Sequence, residues 1–406
     1  KIFNSITTDH VQQLNEFYNL VTQPIPGYDS EPTTVILTKQ KPTYDQTIES
    51  FIKVNDVYLN QKYSILKKRQ SPSSNITLTD ELLGYNYDFG YFGPITIGNQ
   101  TFNVIYDTGS FYLWVPNISC SLLVCGYHNR FDPSRSSTFQ LSTNNLTLSY
   151  AVNQTVTGSE GRDTVIFGGV TVTNQTFGLA TNMPSQLASS ANDGILGLGA
   201  VNLRGLKVNG VMQSIKEQKQ LSKNIIGFHL ARKKNNSNDI SFMTLGGYNA
   251  ANVSNASSGH WTIPLNDLKV DGSSLRLPFP EPAILDTGTL LVYGTPLAVN
   301  LIHSRIPGAA TISSGEQVFW TIPCNTKSIV SFTFDSGSYP IDPSELVYYI
   351  NQSHSICFSG IQYSPFNFWL IGDVFLTSVY SVFDFDNYAV GLAESKIMAN
   401  SPNSNA

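Results

Sequence analysis

Two different rhythms of apolar and polar positions divide this chain of 406 residues. Over residues 8–20, Val11, Leu14, Phe17 and Leu20 recur at helical spacing behind Asp9, a candidate N-cap. Two further short amphipathic pieces follow at 44–52 and 55–66, and Pro24, Pro26, Pro32 and Pro42 break the region up. Pieces this short cannot bury much core alone. From Tyr91 onward the rhythm changes. Short segments rich in Val, Ile, Thr, Tyr and Phe, at 92–106, 146–150, 163–179, 261–265 and 329–334, alternate with Gly, Asn, Asp and Ser turns. Strands at such spacing predict an all-β body. Its best helical stretch is 210–221, and 378–394 reads as two strands turning at Asp386-Asn387.

Composition agrees with a folded body. Hydrophobic residues make up 41% and charged residues only 13%, the reverse of a disordered chain. No run of 18 apolar residues occurs, so no membrane span is expected. The net charge of −5 offers no basic surface for nucleic acid. Residues 1–69 carry 8 basic and 7 acidic groups, whereas the rest carry 16 and 22. That break coincides with Lys67-Lys68-Arg69 followed by Gln70-Ser71-Pro72-Ser73-Ser74, an accessible, protease-sensitive linker with processing at Lys68 and Arg69. The alternative is a solvated charge cluster.

Cys120 and Cys125 lie close together, and Cys324 and Cys357 form a second separated pair. An even count in two pairs suggests two local disulfides, with four reduced core cysteines as the alternative. Ten Asn-x-Ser/Thr sites accompany them, at Asn75, Asn99, Asn117, Asn145, Asn153, Asn174, Asn235, Asn252, Asn255 and Asn351. Each alone is weak, but ten sites with two cysteine pairs favour an oxidising, secretory route. A signal peptide removed before Lys1 fits that route.

The informative feature is a repeat. Val104-Ile105-Tyr106-Asp107-Thr108-Gly109-Ser110 and Ala283-Ile284-Leu285-Asp286-Thr287-Gly288-Thr289 share one pattern. A single Asp-Thr-Gly arises by chance in roughly one chain in ten of this length and is by default a turn. Each copy here is followed by an apolar-apolar-Gly element, Ile195-Leu196-Gly197 and Leu370-Ile371-Gly372. The glycines fall 90 residues after Asp107 and 86 after Asp286. An internal duplication with both loops meeting on a pseudo-twofold axis follows. Two carboxylates held together there cannot both ionise cheaply, so they share a proton and serve as acid and base. Such a pair can activate a water against a carbonyl with no acyl-enzyme. Thr108 and Thr287 can hydrogen-bond across the axis, Gly109 and Gly288 let backbone N–H groups approach, and Ser110 and Thr289 can donate to the outer oxygens.

These residues resemble the pepsin family (A1) of aspartic endopeptidases, written as a zymogen and most like fungal secreted members. The resemblance covers most of residues 85–395. It takes in Leu113-Trp114-Val115-Pro116, the Cys120/Cys125 loop, Phe131-Asp132-Pro133-Ser134, Asp193-Gly194-Ile195-Leu196-Gly197, the Cys324/Cys357 pair and Ile371-Gly372-Asp373-Val374-Phe375. It implies an all-β, bilobal, pepsin-like fold with an interlobe cleft behind a partly helical pro-segment. The divisions expected are 1–69 for the pro-segment, 70–247 for the N-terminal lobe and 248–406 for the C-terminal lobe. It implies Asp107 and Asp286 as the dyad, Tyr150 as the flap tyrosine with Trp114 as its partner, and Ile105, Ile195 and Ile284 lining pockets beside the scissile bond. Ordinary strand and core packing are the alternatives for these. Lys62, in Gln61-Lys62-Tyr63, resembles the pro-segment lysine that reaches the dyad; its alternative is a surface lysine.

The chain also departs from the family pattern. Tyr150-Ala151-Val152-Asn153-Gln154-Thr155 replaces a glycine-rich flap tip, although Ala151 can still donate its N–H to substrate. Asn153 puts a glycosylation site on the tip. No Asp lies near it, which implies apolar or aromatic preference. Phe111-Tyr112 replaces the usual small and polar pair, with consequences for flap hydrogen bonding. The third disulfide of many animal members is missing.

Other chemistries fit poorly. The six histidines form no His-Glu-x-x-His pattern, and no Gly-x-Ser-x-Gly elbow occurs. Gly194-Ile195-Leu196-Gly197-Leu198-Gly199 has the wrong spacing for a phosphate loop. The expectation is a monomeric acid endopeptidase, secreted or vacuolar, with no metal or cofactor. Its partners are polypeptide substrates and its own pro-segment, with no nucleic acid and no membrane. The rival is a catalytically silent peptide-binding or inhibitor protein on the same fold.

Overall fold

A computed structural model describes residues 91–150, 154–188, 191–200, 208–231, 241–247, 260–277, 280–314, 317–348, 356–364 and 366–394, together with the backbone of four short strands, Thr33–Val35, Thr38–Lys39, Asn75–Ile76 and Asn252–Asn255. The expected helices at 8–20, 44–52 and 55–66, with Lys62, Lys68 and Arg69, lie outside these residues. So do Ala151, Asn153, Asn235 and Asn351.

Turn chemistry sets the strand pairing. Tyr91–Ile97 and Gln100–Asp107 form an antiparallel hairpin in register from Phe92 opposite Ile105 to Ile97 opposite Gln100. The two turn residues, Gly98 and Asn99, have φ of 50° and 65°. Positive φ at both centres matches the right-handed strand twist, and Gly and Asn tolerate it best. Gly168 and Gly169, at φ 55° and 77°, make the same turn between Gln154–Phe167 and Val170–Asn182. The apolar run expected at 163–179 is therefore two strands.

Both halves contain one repeated unit. Gln100–Asp107 runs parallel to Gly194–Gly197, with Gly197 beside Asp107, and Gly194–Gly197 also pairs antiparallel with Leu113–Pro116. In the second half, Glu281–Leu285 runs parallel to Trp369–Ile371, which pairs antiparallel with Val292–Gly294. The apolar-apolar-Gly elements are thus central strands beside the Asp-Thr-Gly strands. Central strands are covered on both faces, so they read as continuous apolar runs. Val104, Ile105, Tyr106, Leu196, Leu285 and Ile371 are all buried.

A seven-stranded sheet joins the halves: Ile225–His229 pairs with Phe242–Leu245 on one side and Val379–Asp384 on the other. Thr33–Val35 continues it, antiparallel to Phe242–Leu245 and parallel to Asn75–Ile76. Thr38–Lys39 caps a different sheet beside Tyr91–Ile97. Trp261, fully buried, donates its indole N–H to the Leu198 carbonyl at 2.9 Å.

Helices are few. Val211–Glu217 falls within the expected 210–221. The longer Pro296–Arg305 was not predicted from the pattern; it starts with Pro behind Thr295 and buries Ala298, Val299, Ile302 and His303. The final hairpin, Val379–Asp384 with Ala389–Glu394, turns over 385–388. Both disulfides are formed, Cys120–Cys125 and Cys324–Cys357, with Cα separations of 5.9 and 5.0 Å.

Candidate active site

Each Asp-Thr-Gly triplet leaves the end of its strand and is tied back to the neighbouring strand. Leu198 N–H donates to the Asp107 carbonyl at 2.7 Å, and Asp286 N–H donates to the Ile371 carbonyl at 2.9 Å. The two loops then lock together. Thr108 N–H donates to Thr287 Oγ1 at 3.1 Å, and Thr287 N–H donates to Thr108 Oγ1 at 3.0 Å. The hydroxyls pass on to the opposite strands: Thr108 Oγ1 donates to the Leu285 carbonyl at 3.0 Å, and Thr287 Oγ1 to the Tyr106 carbonyl at 2.6 Å.

The carboxylates are held in matching ways. Asp107 Oδ1 accepts from Gly109 N–H at 2.8 Å, and Oδ2 from Ser110 Oγ at 2.5 Å. Asp286 Oδ1 accepts from Gly288 N–H at 2.8 Å, and Oδ2 from Thr289 Oγ1 at 2.6 Å. A Cβ on Gly109 would overlap the Asp286 carboxylate, and one on Gly288 would overlap that of Asp107. Glycine at these two positions is what lets the carboxylates meet. Burial, and then the negative charge of Asp286, hold the Asp107 carboxyl well above the usual carboxylate range.

The long hairpin of Gln140–Tyr150 and Gln154–Phe167 ends at the pair Tyr150 and Gln154. Trp114 Nε1–H donates to the Tyr150 hydroxyl at 2.6 Å. Tyr150, Trp114, Ile105 and Ile195 share one apolar cluster with Cys120 and Cys125. Ile284 is buried in its strand, opposite Thr262 and beside Leu370.

Among the sequons, Asn99, Asn145 and Asn174 are exposed. Asn117 is buried, and its Oδ1 accepts from Ser119 N–H at 2.8 Å. Asn75, Asn252 and Asn255 lie in the strands described by backbone only. Among the described residues, no group of three or more His, Cys, Asp or Glu side chains gathers as a metal ligand set.

Sequence reasoning missed Glu160. It is buried and accepts from the Tyr112 hydroxyl at 2.7 Å and from Asn144 Nδ2 at 2.8 Å. The unusual Tyr112 was the only signal pointing to it.

Comparison with known proteins agrees with this geometry. The model of the eukaryotic aspartyl protease family matches residues 90–395. Pepsin A of Bos taurus is 35% identical over 371 residues, covering 88% of this chain and 97% of its own. An aspartic protease of Phaffia rhodozyma is 34% identical over 75% of this chain and 76% of its own. The aspartic-type endopeptidase ctsD of Aspergillus fumigatus is 32% identical over 84% of this chain and 73% of its own. With the duplicated Asp-Thr-Gly loops locked across their threonines, the chain belongs to the eukaryotic aspartyl protease family and is an aspartic endopeptidase with a bilobal, all-β, pepsin-like fold.

Proposed function

We propose that this endopeptidase is made as an inactive zymogen and, once mature, cleaves peptide bonds between apolar or aromatic residues with a water activated by Asp107 and Asp286. The observation that carries the reading is the close approach of the two carboxyls inside the threonine lock, each seated against the glycine of the opposite loop. A pair so placed retains one proton. The ionised partner takes a proton from the water as the water attacks. The protonated partner gives its proton to the carbonyl oxygen, forming a neutral diol. Returning a proton to the amide nitrogen then expels the amine. Ser110, Thr289, Gly109 and Gly288 fix the carboxylate planes, so little reorganisation accompanies the charge movement. Tyr150 and Ala151 close over the substrate, and Ile105, Ile195 and Ile284 provide apolar walls.

Residues 1–69 act as the intramolecular inhibitor. The strands Thr33–Val35 and Thr38–Lys39 support this, because they lie on two different sheets of the body. Lys62 reaches the dyad, and acid weakens the leader's hold by protonating carboxylates. Cleavage after Lys68-Arg69 then releases the leader from the lobes at 70–247 and 248–406. The mature monomer is secreted or vacuolar, with glycans on exposed sequons such as Asn99, Asn145 and Asn174 and none on Asn117.

Time-resolved mass spectrometry of the full chain, shifted from neutral to about pH 3.5 beside Asp107→Asn, tests this reading. A fragment ending near Arg69, followed by cleavage of denatured globin by wild type alone, is expected. A wild type still inactive after a dibasic-specific protease has removed the leader would favour the catalytically silent binding protein.

A further inference from the structure

The buried carboxylate of Glu160 stands where three parts of the N-terminal half meet. Glu160 itself lies on the second strand of the long hairpin, opposite Gly178 of the neighbouring strand. The first strand of the hairpin is irregular at this level: Leu141 faces Gly161 and Asn145 faces Ser159, so three residues oppose one. An irregularity of this kind re-aims a side chain, and here Asn144 Nδ2 reaches Glu160 Oε2 at 2.8 Å. The other oxygen, Oε1, takes the Tyr112 hydroxyl at 2.7 Å. Tyr112 lies two residues beyond Ser110, whose hydroxyl grips the Asp107 carboxylate. The backbone of Tyr112 is fixed as well, its carbonyl accepting from Gly197 N–H at 3.2 Å.

The geometry points to Glu160 as a positioning residue that tethers the hairpin carrying Tyr150 to the loop carrying Asp107, through Tyr112. Burial, and then the carboxylate beside it, push the Tyr112 phenol up, so Tyr112 remains an O–H donor. The tether works at the base of the hairpin, so it limits how far the tip swings from the dyad. It therefore acts on substrate capture and leaves the chemical step to the dyad. This inference rests on the reading of Tyr150 as the flap tyrosine.

The experiment compares kcat and KM on a long peptide for the mature enzyme and for Tyr112→Phe, Glu160→Leu, Glu160→Gln and Asn144→Ala. Cutting the tether with Tyr112→Phe or Glu160→Leu raises KM about tenfold, the size of one buried hydrogen bond left unmade, with kcat changed less than about threefold. Glu160→Gln keeps an acceptor for Tyr112 and recovers most of that loss. Asn144→Ala, on the exposed side, raises KM about threefold and reports on the tether even if a core variant fails to fold. Unchanged KM and kcat with a lowered melting temperature would make the cluster merely structural and overturn the inference. A fall in kcat at constant KM would also overturn it. Tyr150→Ala is measured alongside. If it leaves both constants intact, the flap reading fails. If it costs activity while Tyr112→Phe and Glu160→Leu do not, only the tether fails.

Discussion

Thr108 and Thr287, 179 residues apart, each give a backbone N–H to the other's hydroxyl, at 3.1 and 3.0 Å, in a place from which water is excluded. Losing either hydroxyl strands a buried N–H and a buried strand carbonyl at once. Thr108→Val and Thr287→Val should each cost about 2–4 kcal/mol, seen as a lower denaturation midpoint. A change below about 0.5 kcal/mol would mean that the lock does not hold the halves together.

Gly109→Ala and Gly288→Ala test the close approach of the carboxylates. Each new methyl overlaps the opposite Asp. We expect kcat to drop at least about a hundredfold, the scale of a small misplacement of reacting groups. Single-turnover kinetics on a peptide would reveal it; retention of near wild-type kcat would remove the dyad geometry from the account.

Asp107 makes an opposite demand on stability and activity. Its folded-state carboxyl is held above the unfolded value, mainly by burial. A raised acid contributes stability below the unfolded value and loses it as pH rises through the folded one. Asp107→Asn should therefore abolish cleavage yet unfold at a higher temperature than wild type at neutral pH. The gap should shrink in acid. Calorimetry of the two proteins at neutral and acid pH checks this, and a less stable variant at neutral pH would contradict it.

His303 responds in the other direction. It is buried, stacked on Trp320 with ring centroids 4.4 Å apart, between the Val299 carbonyl and Ser359 Oγ. Burial lowers it from 6.5 to about 4. The fold binds the neutral ring, so this contribution is complete above about 6.5 and is lost as pH falls through about 4. The difference is about 3 kcal/mol. His303→Gln should flatten the pH dependence of the unfolding midpoint across that window. An unchanged slope would show that His303 does not titrate with folding.

Much of this was legible because the chemistry demands short, local patterns. Each carboxylate accepts from the N–H of the Gly two residues on, so both Asp-Thr-Gly loops stand out as short local patterns. The central strands beside them read as apolar runs for the same local reason. Helix Pro296–Arg305 was harder, since Ala298, Val299 and Ile302 make only a short apolar face. Tyr112 and Glu160 were illegible as a pair: 48 residues separate them, and an irregularity opposite Glu160 brings in Asn144. Alternation along a strand gives no warning of a buried carboxylate whose partners come from elsewhere in the fold.

The dependence of kcat/KM on pH, measured for the mature enzyme beside Asp107→Asn and Asp286→Asn, tests the shared-proton dyad most directly. A bell-shaped profile in the acid range for wild type, with losses of at least about a thousandfold in both variants, is the predicted result. Either variant cleaving within about tenfold of wild type, or a wild-type rate that climbs steadily toward neutral pH, would contradict it.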